Sequence, residues 1–295
     1  MKILFVAVFT PNSTNVSQSR GFKENNCEVY EYDYRSRLNI LGSMSKRDDE
    51  LIRLTESYNP DLVVFSKCNN MHHRVVEGCN RVSKTCMWYM DAMHNFDQEL
   101  IQKAKRVNYF ISGVEGVTPN ASKYCDKTFF VHQCPDEEMN FRIDGNEYRY
   151  DISFIGSIDN SKIHNNRGRI VKTLSETFDG FRHHNGVFGL EHNEIVNQSK
   201  INLNFAPTDA TGASVRVYKI LASGGFLMTT PWVGLEETFT PNENIIVFED
   251  EKDLIEKCEY FLSHEDERER IRTNGYEKSK DFLPKEWAKR IIDSL

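Results

Sequence analysis

In the stretch "SVRVYKILASGGFLMTT", residues 214 to 230, Arg216 and Lys219 stand three apart. On a helix both cations project from one face while Val217, Ile220 and Leu221 cover another. Thr211, Gly212, Ala213 and Ser214 fall at or before the start of that helix, where free N–H groups and the positive dipole end favour a pyrophosphate. Gly224 ends it as a glycine cap. After "ISFI" at 152, Gly156 and Ser157 form a tight strand-to-helix turn whose N–H groups can meet a phosphate, with Lys162, Arg167 and Arg169 close behind. After "FLMTT", the acidic pair Glu236 and Glu237 can accept hydrogen bonds from two sugar hydroxyls at once. The same residues also read as ordinary structure: a turn glycine, a helix with two surface cations, and carboxylates that complement a helix dipole.

The first half of the chain offers acid–base chemistry. In "YMDAMHNF" Asp91 is followed three residues on by His94, a pair able to orient or deprotonate a hydroxyl, because histidine titrates near neutrality and a carboxylate can fix its tautomer. A helix-capping aspartate beside a surface histidine is the alternative. Asn12, Ser13 and Thr14, after the first apolar run, are further binding candidates. His72-His73 and His183-His184 lack a Cys or carboxylate at metal-ligand spacing, so both pairs are expected in loops and no metal site is expected. No strict D-x-D occurs.

Those residues need elements to hold them. Short apolar runs without alternation mark strands buried on both faces, and they recur as "ILFVAV" at 3, "LVVF" at 62, "TCMWYM" at 85, "VNYFI" at 107 and "TFFV" at 128, then "ISFI" at 152, "INLNF" at 201, "FLMT" at 226 and "IIVF" at 245. Polar or amphipathic segments separate them, so each set predicts a doubly wound α/β domain. In "KDLIEKCEYFLS" Leu254, Ile255, Cys258, Phe261 and Leu262 share one helical face. Residues 132 to 150, with a proline, a glycine and many charges, suit a linker with the boundary near 145. The expected division is 1–145, 146–280 and a last segment, 281–295, whose Trp287, Ile291 and Leu295 make an apolar stripe that crosses back onto the first domain. Ligands of such sheets bind at the carboxyl ends of the strands, so a cleft between the two domains is the expected site.

Composition narrows the classes. At 295 residues, 39% apolar and 12% aromatic, the chain can build two cores. Its net charge of -7 argues against a general nucleic-acid coat. The basic stretches "QKAKRVNYF" at 102 and "FRIDGNEYRY" at 141 read as solvated faces beside core aromatics. Seven cysteines without a C-x-x-C pair fit neither a disulfide framework nor a zinc finger and suit reduced thiols in the cytoplasm. The run "ILFVAVF" is too short to span a membrane and lacks a cleavage region, so it predicts a strand in a soluble protein. Neither an internal repeat nor a low-complexity tract is present.

The chain resembles the CgeB-type, spore-maturation-like group of GT-B glycosyltransferases, which are group 1/4-like. The likeness runs through "KILFVAVF", "YNPDLVVFSK", "WYMDAMHNF", "FVHQCPDEEMNF", "YDISFIGS", "KINLNFAP", "RVYKILASGGFLMTT", "LEETF", "NENIIVFEDEKDLIEKCEYFLS" and "ERERIRTNGYEK", and is strongest over 151–280. It implies a GT-B fold of two Rossmann-like domains, a nucleotide-sugar donor such as a UDP-sugar held by the second and an acceptor held by the first. Transfer would need no metal and would retain configuration. Arg216 matches the arginine of the family's R-x-[FY]-E stretch and would contact the donor diphosphate. Lys219 falls where that stretch has a ribose-binding glutamate, a departure that leaves the nucleotide open. Glu236 or Glu237 matches an acidic position near the donor sugar or ribose, Gly156 and Ser157 the turn beneath the phosphates, and Asp91 an aspartate of the first domain. The expected acceptor is a glycan, a small molecule or, for a phage enzyme in its host's cytoplasm, hydroxymethylated DNA. A two-lobed module that binds nucleotide or sugar without transfer is the competing class.

Overall fold

A computed structural model describes residues 1–158, 166–207 and 209–295. Two compact units divide the chain: Met1–Gln133 with Pro284–Leu295, and Cys134–Leu283. The first unit runs β1 (Lys2–Ala7), α1 (Thr14–Glu24), β2 (Glu28–Asp33), α2 (Tyr34–Leu41), α3 (Met44–Tyr58), β3 (Leu62–Ser66), α4 (Arg74–Cys79), β4 (Lys84–Tyr89), α5 (Gln98–Ala104), β5 (Tyr109–Ser112), α6 (Thr118–Ala121) and β6 (Thr128–Phe130). Its parallel sheet has the order β2-β1-β3-β4-β5-β6. The central strands carry continuous apolar runs because helices cover both faces; Ile3 to Ala7 and Val63 to Phe65 are wholly buried.

The second unit runs β7 (Tyr150–Ile155), α7 (Arg167–Thr177), β8 (Phe181–His184), α8 (Gly189–Asn197), β9 (Ser199–Asn204), α9 (Val215–Ala222), β10 (Leu227–Thr229), α10 (Leu235–Thr238), β11 (Ile246–Val247), α11 (Glu251–Ser263) and α12 (Glu265–Ser279). Among the described residues its sheet is parallel with the order β11-β10-β9-β7-β8. Each sheet reverses its winding once, between β1 and β3 in the first unit and between β7 and β9 in the second. Such switch points open a crevice at the carboxyl ends of the strands.

Local chemistry explains the elements that matter most. Gly224, at φ +68°, donates to Leu221 O at 2.9 Å and Gly225 donates to Ile220 O at 2.8 Å, a paired cap that stops α9 and turns the chain into β10. Asp250 caps α11 by accepting from Asp253 N, and Leu254, Cys258 and Phe261 face the core. The segment after Gln133 belongs to the second unit because buried Asn193 and Asn197 of α8 accept from Phe141 N at 3.0 Å and Ile143 N at 2.8 Å. That unit therefore starts at Cys134, ahead of residue 145.

The last helix, α13 (Pro284–Asp293), packs on α1. Trp287 meets Phe22 and Trp88 edge-on, each at 5.2 Å between ring centroids. Gly21 has no room for a Cβ, which would run into the Pro284 carbonyl. Leu295 lies past the end of the helix, and its carbonyl accepts from Tyr109 Oη at 2.7 Å. His183 and His184 occupy strand β8 rather than a loop, a correction forced by a short edge strand whose polar sequence hides its pairing. All seven cysteines are buried, and none is in a disulfide. Among the described residues no helix is long and apolar enough to cross a membrane.

Candidate functional site

The switch point of the second sheet brings together Gly156, Ser214 and Arg216 of the residues that the sequence singled out. Gly156 follows β7 and Asn204 ends β9, one on each side of the reversal. Arg216, in the first turn of α9, donates from Nη1 to Asn204 Oδ1 at 3.0 Å, and its guanidinium lies 5.5 Å over the Phe154 ring. Gly156 is needed there: a Cβ would fall 2.8 Å from Arg216 Nη2 and 2.9 Å from Phe154 Cζ. Ser214 occupies the N-cap of α9 in extended backbone, but its hydroxyl turns away to Asn204 Oδ1 at 3.1 Å. The Ser214 side chain does not cap the α9 N–H groups. An open helix end beside a guanidinium favours an anion.

More positive charge surrounds this point. Arg167, at the start of α7, donates to Phe205 O at 2.8 Å, and its charge opposes that of Arg216. Burial, then Arg167, brings the Arg216 guanidinium down to about 10. Burial also lowers the Lys219 ammonium; Asp136 and Cys134 partly offset this while Arg216 adds to it. His192 of α8, only 6% exposed, is pushed down to about 3 by burial, then by Lys219 and Arg216. Three obligate or near-obligate cations and a neutral imidazole thus share one neighbourhood, with Asp136 the nearby carboxylate that Lys219 feels.

Gly212 is buried just ahead of α9. Thr211 Oγ1 donates to Asp209 Oδ1 at 2.9 Å. Ser157 follows Gly156 in the turn. Glu236 and Glu237 are exposed in the first turn of the short α10, which follows β10. Lys162 lies outside the described residues. Among the described residues, no three His, Cys, Asp or Glu side chains gather as metal ligands would.

In the first unit, Asp91 follows β4 and pairs with Lys67 Nζ at 2.5 Å. It does not cap a helix; Ala92 opens the short turn Met93–Asn95 that carries the exposed His94. Lys67 and Cys68, directly after β3, both adopt left-handed backbone at φ 59° and 51°, which costs energy in non-glycine residues. The bend is held by Lys103 Nζ, which donates to Cys68 O at 2.8 Å, and by Arg47 Nη2, which donates to Asn70 O at 2.7 Å. Lys103 is 3% exposed, so "QKAKRVNYF" is no solvated face at that residue, and burial lowers its ammonium. Lys67, Asn69, Tyr89, Asp91, His94 and Lys103 line part of a cavity of about 360 Å³ that Asn95, Asp97 and Leu100 complete. Asn12 is exposed, and Ser13 is the N-cap of α1, accepting from Asn15 N at 3.3 Å.

Sequence reading missed Asn204, Lys67, Tyr89 and His192. Asn204 had a readable signal, a wholly buried amide closing an apolar strand, since a buried amide must find partners. Lys67 had none, because its role depends on an unusual backbone turn.

Solved structures resemble this fold along most or all of the chain. Anabaena HepE, solved with UDP and glucose, matches with a TM-score of 0.72 at 8% identity, covering 100% of both chains. Sucrose-phosphate synthase from Thermosynechococcus elongatus matches at 0.68 and 10% identity, covering 99% of this chain and 98% of the other. The pneumococcal O-GlcNAc transferase GtfA, solved with UDP and GlcNAc, matches at 0.57 and 12%, covering 83% and 58%. At these identities the likeness establishes the architecture, which is the GT-B fold. The chain belongs to the glycosyl transferase-like family, whose pattern matches residues 127–293. It is a glycosyltransferase. A search of curated proteins gives no match.

Proposed function

We propose that this chain moves a sugar from a nucleotide-sugar donor, such as a UDP-sugar, to an acceptor hydroxyl, without a divalent metal and with retention of configuration. The observation that carries the reading is the cationic cluster at the second switch point, with Arg216 against Gly156 beside the open end of α9. The donor diphosphate would lie across the Gly156–Ser157 turn and the Thr211–Ser214 loop, and Arg216 would stabilise the charge that develops as the bond from C1 to phosphate breaks. The acceptor oxygen bonds to C1 on the same face, and its proton passes to the departing phosphate oxygen. Arg216, Arg167 and Lys219 supply the positive charge that a metal would otherwise bring. Retention rests on the resemblance to the CgeB-type group, and the uridine donor is supported by the UDP held in HepE and GtfA.

Lys219 cannot accept the two ribose hydroxyls, because an ammonium only donates. Glu236 or Glu237 then remains as the carboxylate for ribose or donor sugar. The acceptor belongs to the first unit, where Asp91 and His94 would orient the attacking hydroxyl. The test is a thermal-shift and nucleotide-release panel with UDP-, GDP-, ADP- and CMP-sugars in EDTA, on wild type and Arg216→Ala. One nucleotide should stabilise the protein and be released slowly without metal, and both effects should vanish in the variant. If no nucleotide raises the melting temperature, the reading fails.

A further inference from the structure

The cavity at the carboxyl ends of β3 and β4 holds more than an ion pair. Tyr89 closes β4, is 2% exposed and lines this cavity, with its ring fixed edge-on against Phe96 at 6.0 Å and tilted against Phe110 at 6.2 Å. Its hydroxyl is buried and has no hydrogen-bond partner among the described residues. A buried hydroxyl left without a partner costs free energy, so native proteins rarely keep one unless something else fills the bond. Burial, then the charges of Asp91 and Asp97, raises this phenol far above its ordinary value, which keeps it a neutral donor.

The rest of the lining says what kind of group fills that bond. Lys67 is matched by Asp91 at 2.5 Å, and Asp97 is engaged at the start of α5, accepting from Leu100 N at 2.8 Å. Lys103 spends its ammonium on the carbonyls of Cys68 and Asn69. Two cations and two carboxylates balance, so the cavity exerts little pull on a phosphate or a polyanion. What remains on offer is a mixture of donors and acceptors: the phenol, the amides of Asn69 and Asn95, and the spare carboxylate oxygens. Hydroxyl groups match that mixture because each both donates and accepts. The volume of about 360 Å³ sits near the low end of the roughly 300–1,000 Å³ of small-ligand sites, room for a small ring rather than an extended chain.

We propose that this cavity recognises one neutral, hydroxyl-rich ring, the acceptor's own sugar, and that the Tyr89 hydroxyl is its specificity contact. Lys103 is a positioning residue: by clamping the left-handed turn at Lys67–Cys68 it holds Lys67 against Asp91. The identity of the ring as acceptor rests on the transferase reading, but its binding does not. It excludes DNA phosphate from this pocket and makes the acceptor saccharide-like.

The test is direct binding by saturation-transfer NMR on the full chain without donor. The probes are the methyl pyranosides of glucose, galactose, mannose and N-acetylglucosamine, with inorganic phosphate and a hydroxymethylcytosine oligonucleotide as competitors. At least one glycoside should bind. Tyr89→Phe should weaken it about tenfold, the worth of one neutral hydrogen bond, while melting no lower than wild type because the unpartnered hydroxyl is gone. Lys67→Met should weaken it as well, a second reading should the first variant fold poorly, and neither competitor should displace it. The proposal is overturned if no glycoside binds, if Tyr89→Phe binds as wild type does, or if phosphate or the oligonucleotide takes the site. Nucleotide release with no glycoside binding would sink this pocket and spare the transferase; glycoside binding with no nucleotide response would do the reverse.

Discussion

Replacing Arg216 by methionine should stabilise the ligand-free protein while strongly weakening its response to a nucleoside diphosphate. The guanidinium sits roughly two and a half pH units below its ordinary value, through burial and then Arg167. At about 1.4 kcal/mol per unit, keeping it charged in the fold costs about 3 kcal/mol. The lost bond to Asn204 returns about 1 kcal/mol of that, leaving a net gain of about 2 kcal/mol. For a protein of this size that is a rise of about 4–8 °C in melting temperature. A cation with a lowered pKa is charged in both folded and unfolded chains below about pH 10, so the gain is present in full at neutral pH and shrinks only above that value. The ligand side has the opposite sign. A charge-assisted bond to phosphate is worth about 1.5–3 kcal/mol, so UDP affinity should fall by about 10- to 150-fold. Differential scanning fluorimetry of wild type and Arg216→Met, with and without UDP, reads both effects. A variant that melts below wild type and still shifts with UDP would show that the guanidinium is structural and refute the reasoning.

Three other changes probe separate parts of the molecule. Gly156→Ala would push a methyl to within 2.8 Å of Arg216 Nη2; isothermal titration should show nucleotide affinity down about tenfold, with stability changed by no more than about 1 kcal/mol, and unchanged affinity would remove this turn from the site. His192 is held down to about 3, so unfolded chains take up its proton below about pH 6.5 while the fold resists, and stability falls with pH across that window. His192→Asn should therefore flatten the pH dependence of urea unfolding by about 2 kcal/mol between pH 7 and 5; parallel curves for the two proteins would disprove it. Trp287→Ala should cost the first unit about 3–5 kcal/mol in chemical denaturation, because the ring is wholly buried against Phe22 and Trp88, whereas a loss under about 1 kcal/mol would mean that α13 is not part of that core.

How much of this was legible follows from where information sits in the chain. Strands β1 and β3 announce themselves because burial on both faces leaves unbroken apolar runs, and β4 and β7 show shorter runs of the same kind. The strands that escaped notice are β2, "EVYEYD", and β8, "FRHH", which close an edge of each sheet, pair on one side only and keep much of their side-chain surface in water. Gly156, Arg216 and the Gly224 cap could be found because each follows from a local rule about turns and helix ends. The cavity in the first unit could not. It depends on Lys67 and Cys68 adopting backbone that their types disfavour, on Lys103 being drawn inward to hold them, and on the Tyr89 hydroxyl finding no partner among the described residues, none of which has a spacing in sequence.

The same contrast explains why Lys219 matters more in the structure than as a mismatch to a motif. A glutamate at that position could pair with Arg216 and relieve part of the cost of burying it. A lysine adds to that cost instead: its own ammonium is lowered by burial and by Arg216, and the two cations add to the burial that keeps His192 neutral. Burial and like charge therefore both disfavour the cations of the ligand-free site, Arg167 opposing Arg216 and Arg216 opposing Lys219. A diphosphate bound there, as proposed, would offset like charge between Arg216 and its neighbours, so the binding free energy would include relief of that repulsion as well as new hydrogen bonds. The departing nucleoside diphosphate carries more negative charge on its terminal phosphate than the intact donor does. On the proposed reading the cluster would favour the product side of bond cleavage over the ground state, which is the condition under which binding energy accelerates a reaction.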